Sequence, residues 1–257
     1  MVHRSRGRPH GAIGQEAGSS SGPPSTGRAA RAARPGAQRL LGARVARTVP
    51  RGVRPSAKEI ARHLSRSDPV LAGLIRDGGP TELPSRGAGF PTLAQSILFQ
   101  QISGAAGAAI LRRLRRTHGG PRFPPPDWFR TVSAKALRGA GVSPQKVQYL
   151  RDLAAHVLDG RLDLRRVSRQ PDEEVIEALT AVRGIGLWTA QMYLIFSLHR
   201  PDVFPSKDLG VRKAVGKAWG YRGVPAEGTI ERMARRWAPY RSHAAYYLWR
   251  SLESAPE

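Results

Sequence analysis

From about Ser56 onward, apolar residues recur at helical spacing, and the breaks between the runs carry helix-cap residues. Ser56 is placed to cap a helix through Lys58-Glu59-Ile60. Asp68-Pro69 is placed to start the next, with Val70, Leu71, Leu74 and Ile75 on one face. Phe90 to about Thr117 reads as one long helix whose buried stripe is Leu93, Ile97, Leu98, Ile102, Ala105, Ala109 and Leu114. Gly119-Gly120-Pro121 ends it, and Pro124-Pro125-Pro126 reads as loop. Ser133 caps a short helix ending at Gly139. Ser143-Pro144 begins another, with Val147, Leu150, Leu153 and Val157 at helical spacing and Gly160 beyond its end. Pro171-Asp172-Glu173-Glu174 puts proline and acids in a first turn, where the helix dipole favours them, and Val175, Ile176 and Leu179 supply that helix's apolar face. Helical patterns resume at about Leu187–Leu198, Lys207–Trp219, Glu227–Trp237 and Arg241–Leu252. No stretch alternates as a strand and no repeat is visible. The pattern predicts an all-α protein of many short helices over residues 56–254.

Residues 1–54 break this pattern. They hold eleven Arg against one acidic residue, Glu16, among Gly, Pro, Ser and Ala. So polar a segment cannot bury enough surface to offset the entropy of ordering, which predicts a disordered basic arm before a helical domain at 55–257. Removing the arm's +10 from the chain's +23 leaves +13, so the helical part is basic too. Such an excess points to a polyanionic partner, nucleic acid first, although a generally Arg-rich proteome would also produce it. The chain has no cysteine, which excludes disulfides, thiol catalysis and cysteine-held zinc or iron–sulfur clusters. There is no signal-peptide pattern. The longest apolar stretch, around Met192–Leu198, is far short of the roughly 20 residues of a membrane span, so a soluble, cytoplasmic, DNA-associated protein is expected.

One stretch carries chemistry. After Leu179-Thr180-Ala181-Val182-Arg183 a helix ends, Gly184-Ile185-Gly186 turns, and a second helix starts at once. Glycine adopts backbone angles other residues resist and lets the backbone approach a ligand closely. The N–H groups opening the second helix can then bind a phosphate and hold a nucleic acid in register without reading its sequence. Taken alone, a plain αα-turn explains the same residues equally well.

The surrounding residues resemble a family. Ala181–Ala190 is similar to the hairpin of the helix-hairpin-helix base-excision DNA glycosylases, and Asp202-Val203-Phe204-Pro205-Ser206-Lys207-Asp208-Leu209-Gly210-Val211-Arg212-Lys213 resembles the family segment that ends in an essential Asp. Phe99-Gln100-Gln101-Ile102-Ser103, Gly141-Val142-Ser143-Pro144-Gln145-Lys146 and Pro239-Tyr240-Arg241-Ser242…Trp249 resemble the 3-methyladenine DNA glycosylase II branch. The matches span roughly residues 59–253. The resemblance implies two helical subdomains flanking a cleft, with the hairpin at about 172–198, in a compact form without the extra N-terminal β-rich domain of the larger bacterial relative.

It also implies roles. Asp208 becomes the catalytic carboxylate that stabilises an oxocarbenium-like sugar; the bland reading is that Asp208 merely caps the following helix, with Ser206 as an alternative cap. Bifunctional members carry a Lys two residues after the second hairpin Gly. Trp188 stands there, so a monofunctional enzyme without Schiff-base strand cleavage is expected. Ile102, after Gln100-Gln101, matches the wedge that fills the gap left by an extruded base; without the resemblance it reads as core. Trp249, Trp188 and Met192 become the base pocket, where aromatic faces favour a cationic alkylated purine, with Met192 in place of an aromatic. Arg183, Gly184, Ile185 and Gly186 become the DNA grip, Arg183 replacing the usual Pro. The carbonyls of Thr180, Val182 and Ile185 become ligands of a structural Na+ or K+. No cofactor is required, and the cysteines of an iron–sulfur cluster are missing. The implied partner is duplex DNA bearing a damaged base, and the implied state a monomer. Other readings are a glycosylase for hypoxanthine or an oxidised purine, a non-catalytic helix-hairpin-helix DNA-binding protein, and a basic RNA-binding protein.

Overall fold

The computed structural model describes residues 55–253; the basic arm of residues 1–54 lies outside them. Thirteen α-helices and one 3-10 turn, and no strand, make up the described residues. Local signals start most of them. Ser56 and Glu59 form a reciprocal capping box on α1 (Ala57–Ser67), and Asp68 caps α2 (Pro69–Gly78), which has proline in its first turn. Asp68 is fully buried yet satisfied: it also accepts the indole N–H of Trp237 at 3.1 Å and lies 3.6 Å from Arg236.

The long helix expected over 90–117 is two. α3 (Phe90–Phe99) stops at Gln100-Gln101, and α4 (Gly104–His118) starts under Ser103, whose hydroxyl accepts from the Ala106 N–H at 3.2 Å. Gln101 adopts a left-handed φ of 55°, and Ile102 and Ala105 are exposed rather than part of a buried stripe. Pro126, read as loop, opens α5 (Pro126–Thr131), where a missing N–H costs nothing. α6 (Ala134–Gly139) and α7 (Pro144–Leu158) begin under Ser133 and Ser143 as their sequence predicts. α8 (Leu164–Val167), capped by Asp163, was not anticipated. α9 (Asp172–Thr180), α10 (Leu187–Phe196), α11 (Leu209–Ala218), α12 (Glu227–Ala234) with its 3-10 extension Arg235–Trp237, and α13 (Arg241–Glu253) follow.

The buried residues form two cores. One joins α3 to α10 through Leu93, Leu98, Phe129, Leu150, Leu153 and Leu194. The other brings α1 and α2 onto α11, α12 and α13 through Leu64, Leu71, Val215, Trp237 and Leu248. Only short segments connect them, and Trp249 packs against both. The site therefore sits where α10 of one core meets α11 and α13 of the other.

Candidate active site

The turn between α9 and α10 is held from below. Val182 and Ile185, 1% and 4% exposed, root it in the first core, and the Ile185 N–H donates to the Val182 carbonyl at 3.1 Å. Gly184 has φ 85°, and a Cβ there would collide with the Tyr149 ring, so both its angles and its size are required. Gly186 caps α10 without a side chain, and its own Cβ would meet open space. The first-turn N–H groups of α10 thus open outward beside the exposed Arg183.

Asp208 sits at the start of α11 and is its N-cap. Oδ1 accepts the Val211 N–H at 2.8 Å and the Trp249 indole N–H at 2.9 Å; Oδ2 accepts the Trp188 indole N–H at 2.6 Å. Ser206 does not cap. It is 7% exposed, and its one hydroxyl proton is shared between the Glu227 and Glu231 carboxylates, 3.1 and 2.8 Å away. Asp208, not Ser206, is therefore the cap of α11. A carboxylate has about four acceptor positions. Two donors fill those of Oδ1, so the remaining one is on Oδ2.

The chain delivers Asp208 through fixed bonds. Asp202 takes Arg241 through two guanidinium nitrogens, at 2.7 and 2.9 Å. The buried Ser242 accepts the Val203 N–H at 2.9 Å and donates to the Arg200 carbonyl at 2.7 Å. The Pro239-Tyr240-Arg241-Ser242 block therefore anchors the segment that leads to Asp208. Gly210 is equally specific: a Cβ there would lie 3.0 Å from Asp208 Oδ1 and 3.2 Å from the Trp249 ring. Arg241, Ser242 and Gly210 all lie in segments that resemble the family, but only contacts across the fold show what they do.

The two indoles differ. Trp188 is 50% exposed, while Trp249 is half-buried and lies 5.8 Å from Phe196, ring to ring, at 35°. Tyr246 shares that side, edge-on to Phe196 at 6.3 Å; Tyr247 is buried with its hydroxyl on Gly79 and Thr81. Met192, one turn after Trp188, lines a cleft of about 510 Å³ with Leu93, Gln95, Ser96 and Phe99. The wall of this cleft holds Met192 but neither Trp188 nor Trp249, whose indoles meet at Asp208. Gln101 and Ile102 lie on the exposed break between α3 and α4, tied to the hairpin by the Gln100 side-chain amide, which donates to the Gly184 carbonyl at 2.8 Å. No group of three or more His, Asp or Glu is placed to hold a metal among the described residues.

Residues 94–239 match the family model of HhH-GPD superfamily base excision DNA repair proteins. The chain belongs to this superfamily. Among similar proteins, DNA-3-methyladenine glycosylase 1 of Schizosaccharomyces pombe is 30% identical over 197 residues, covering 75% of this chain and 86% of the relative. DNA-3-methyladenine glycosylase 2 of Escherichia coli is 28% identical, covering 77% and 73%. Among solved structures, a DNA-3-methyladenine glycosidase from Bacillus halodurans superposes with a TM-score of 0.70 at 35% identity, covering 76% of this chain and 89% of that one. The Schizosaccharomyces pombe enzyme in complex with abasic DNA gives 0.69 at 30%, covering 77% and 98%. The HhH-GPD fold thus accounts for both cores and for the all-helical architecture.

Proposed function

We propose that this protein is a monofunctional DNA glycosylase that hydrolyses the N-glycosidic bond of alkylated purines, such as 3-methyladenine, in duplex DNA. The observation that carries this is the Asp208 carboxylate, held by three N–H donors with one acceptor position of Oδ2 left to meet a substrate. Breaking C1′–N leaves the electron pair on the base and positive charge on the sugar. A fixed anion stabilises that charge without reorganising, and water then adds to C1′. Trp188 stands where a lysine nucleophile would, so that position supplies no amine for a Schiff base.

The other roles follow from placement. The exposed Ile102, with Gln101, is the wedge that enters the duplex as the base leaves it. Arg183, Gly184, Ile185 and Gly186 grip a backbone phosphate at the open start of α10. The base lodges among Trp249, Trp188 and Met192, the indoles favouring a delocalised cation. A monovalent cation would take the carbonyls of Thr180, Val182 and Ile185, hard oxygen donors of which Val182 already accepts one hydrogen bond. The partner is damaged duplex DNA, bound by a DNA-associated monomer. No helix among the described residues is long and apolar enough to cross a membrane.

The deciding experiment incubates the protein with methylated duplex DNA and identifies free bases by mass. Release of 3-methyladenine is expected. Tight binding to abasic DNA with no base released from any lesion duplex would leave a non-catalytic DNA-binding protein instead.

A further inference from the structure

α7 faces both DNA-directed segments at once. Gln145, Tyr149 and Asp152 recur at i, i+4 and i+7 and so share one face, with Lys146 on its flank. Asp152 accepts the Arg183 N–H at 2.8 Å, fixing the residue that enters the hairpin turn. Tyr149, its hydroxyl held by the Gln145 amide, packs against Gly184 so closely that no Cβ fits between them. On the flank, the Lys146 ammonium donates to the carbonyls of Leu98 and Gln100 at 2.8 and 2.7 Å. Those carbonyls end α3, where the helix dipole favours a cation. The Gln100 side chain then reaches back to the Gly184 carbonyl. The contacts close a ring: hairpin, Gln100, the end of α3, Lys146, α7, hairpin.

The segment this ring carries is strained and exposed. Gln101 holds φ 55° without being glycine, and Ile102, 36% exposed, follows it. Such a conformation persists only where surrounding bonds over-determine it. Lys146 is half-buried, and desolvation lowers the pKa of its ammonium.

We propose that Lys146 and Gln100 are positioning residues that lock the Gln101-Ile102 loop to the Gly184–Gly186 hairpin as one rigid unit. Gripping the backbone at the hairpin thereby sets how deeply Ile102 enters the duplex. This rests on the reading of Ile102 as the wedge. Neither positioning residue touches the reacting atoms; their effect is on extrusion of a paired base, not on cleavage of the bond.

The test compares single-turnover base release from two substrates, one with the lesion base-paired and one with the same lesion unpaired in a bulge. The full-length chain is used, with Lys146→Met, Gln100→Ala and Ile102→Ala, and thermal midpoints are recorded for each. Lys146→Met and Gln100→Ala should each lose about tenfold on the paired lesion, the scale of one strong hydrogen bond, and under threefold on the unpaired one. Ile102→Ala should show the same split. Equal losses on both substrates in both positioning variants would overturn the proposal, because they would report damage to the site as a whole. Full activity of both positioning variants beside an impaired Ile102→Ala would overturn the coupling while keeping the wedge. A silent Ile102→Ala would remove the wedge reading and the proposal with it.

Discussion

Replacing Asp208 by Asn separates its helix-capping bond from its proposed chemical role. Asparagine caps helices about as well as aspartate, so the Oδ1 bond to the Val211 N–H survives and α11 keeps its start. With Oδ1 still facing Val211 and Trp249, the new NH2 group takes the place of Oδ2 and points at the Trp188 indole N–H, donor against donor. Trp188 is half exposed, so water relieves part of this and the cost is about 1 kcal/mol. For a domain of this size that lowers the thermal midpoint by roughly 2–4 °C. The effect on rate is of another order. Two unit charges about 4 Å apart at an effective dielectric near 20 attract by about 4 kcal/mol. The sugar carries only part of a charge in the transition state, so about two to three orders of magnitude in single-turnover base release should be lost. The assay follows free 3-methyladenine by mass from methylated duplex DNA, with affinity for abasic duplex measured in parallel. A loss of less than tenfold with binding retained would refute the assignment of Asp208 as the stabilising anion.

Three further outcomes follow from the same geometry. Gly210→Ala should raise helix propensity by up to about 1 kcal/mol, yet its methyl meets Asp208 Oδ1 at 3.0 Å and Trp249 at 3.2 Å; base release should fall about tenfold while the melting temperature holds or rises, and an unchanged rate would count against the Trp249–Asp208 contact. Borohydride added during turnover should trap no covalent protein–DNA adduct, and the abasic strand should stay intact, since Trp188 replaces the amine; a trapped adduct would overturn the monofunctional reading. His243 is buried with Nδ1 unpartnered, and burial, aided by nearby His199, pushes its pKa down to about 4. The unfolded chain, titrating near 6.5, then binds a proton that the folded chain refuses. Stability is full above about pH 6.5 and falls toward pH 4 by up to about 3 kcal/mol. Denaturation at pH 7 and 4.5 should show His243→Gln with the shallower dependence, and parallel curves would exclude His243 as the source.

Most of the fold was legible because its signals are local. Ser56, Asp68-Pro69, Ser133 and Ser143-Pro144 each sit within three residues of the N–H groups they satisfy, and each caps the helix it announces. The break between α3 and α4 was not read, for two reasons. Apolar spacing runs on through Ile102, and the bonds that end α3 come from Lys146, nearly fifty residues away. Ser103 was the local clue, a cap residue inside a continuous pattern, and it does cap α4. Pro126 was misread in the same way: a proline run suggests loop, but its last member fits the first turn of a helix.

The site shows a different limit. Asp208, Trp188 and Trp249 could each be named from the chain, but not that both indoles donate to one carboxylate across separations of 20 and 41 residues. Sequence reasoning also set capping and chemistry against each other, with Ser206 as the arbiter. The geometry makes that opposition unnecessary. An N-cap carboxylate is already held in one rotamer, already aligned with a helix dipole, and already solvated by fixed N–H groups rather than mobile water. Those are the properties that let an anion stabilise developing positive charge with no reorganisation at the moment of bond breaking. The cap uses Oδ1, the Trp249 indole completes it, and Oδ2 keeps room for a substrate. The structural role of Asp208 therefore supports its proposed chemical one, and Gly210 leaves room in the same first turn for the Asp208 carboxylate and the Trp249 ring.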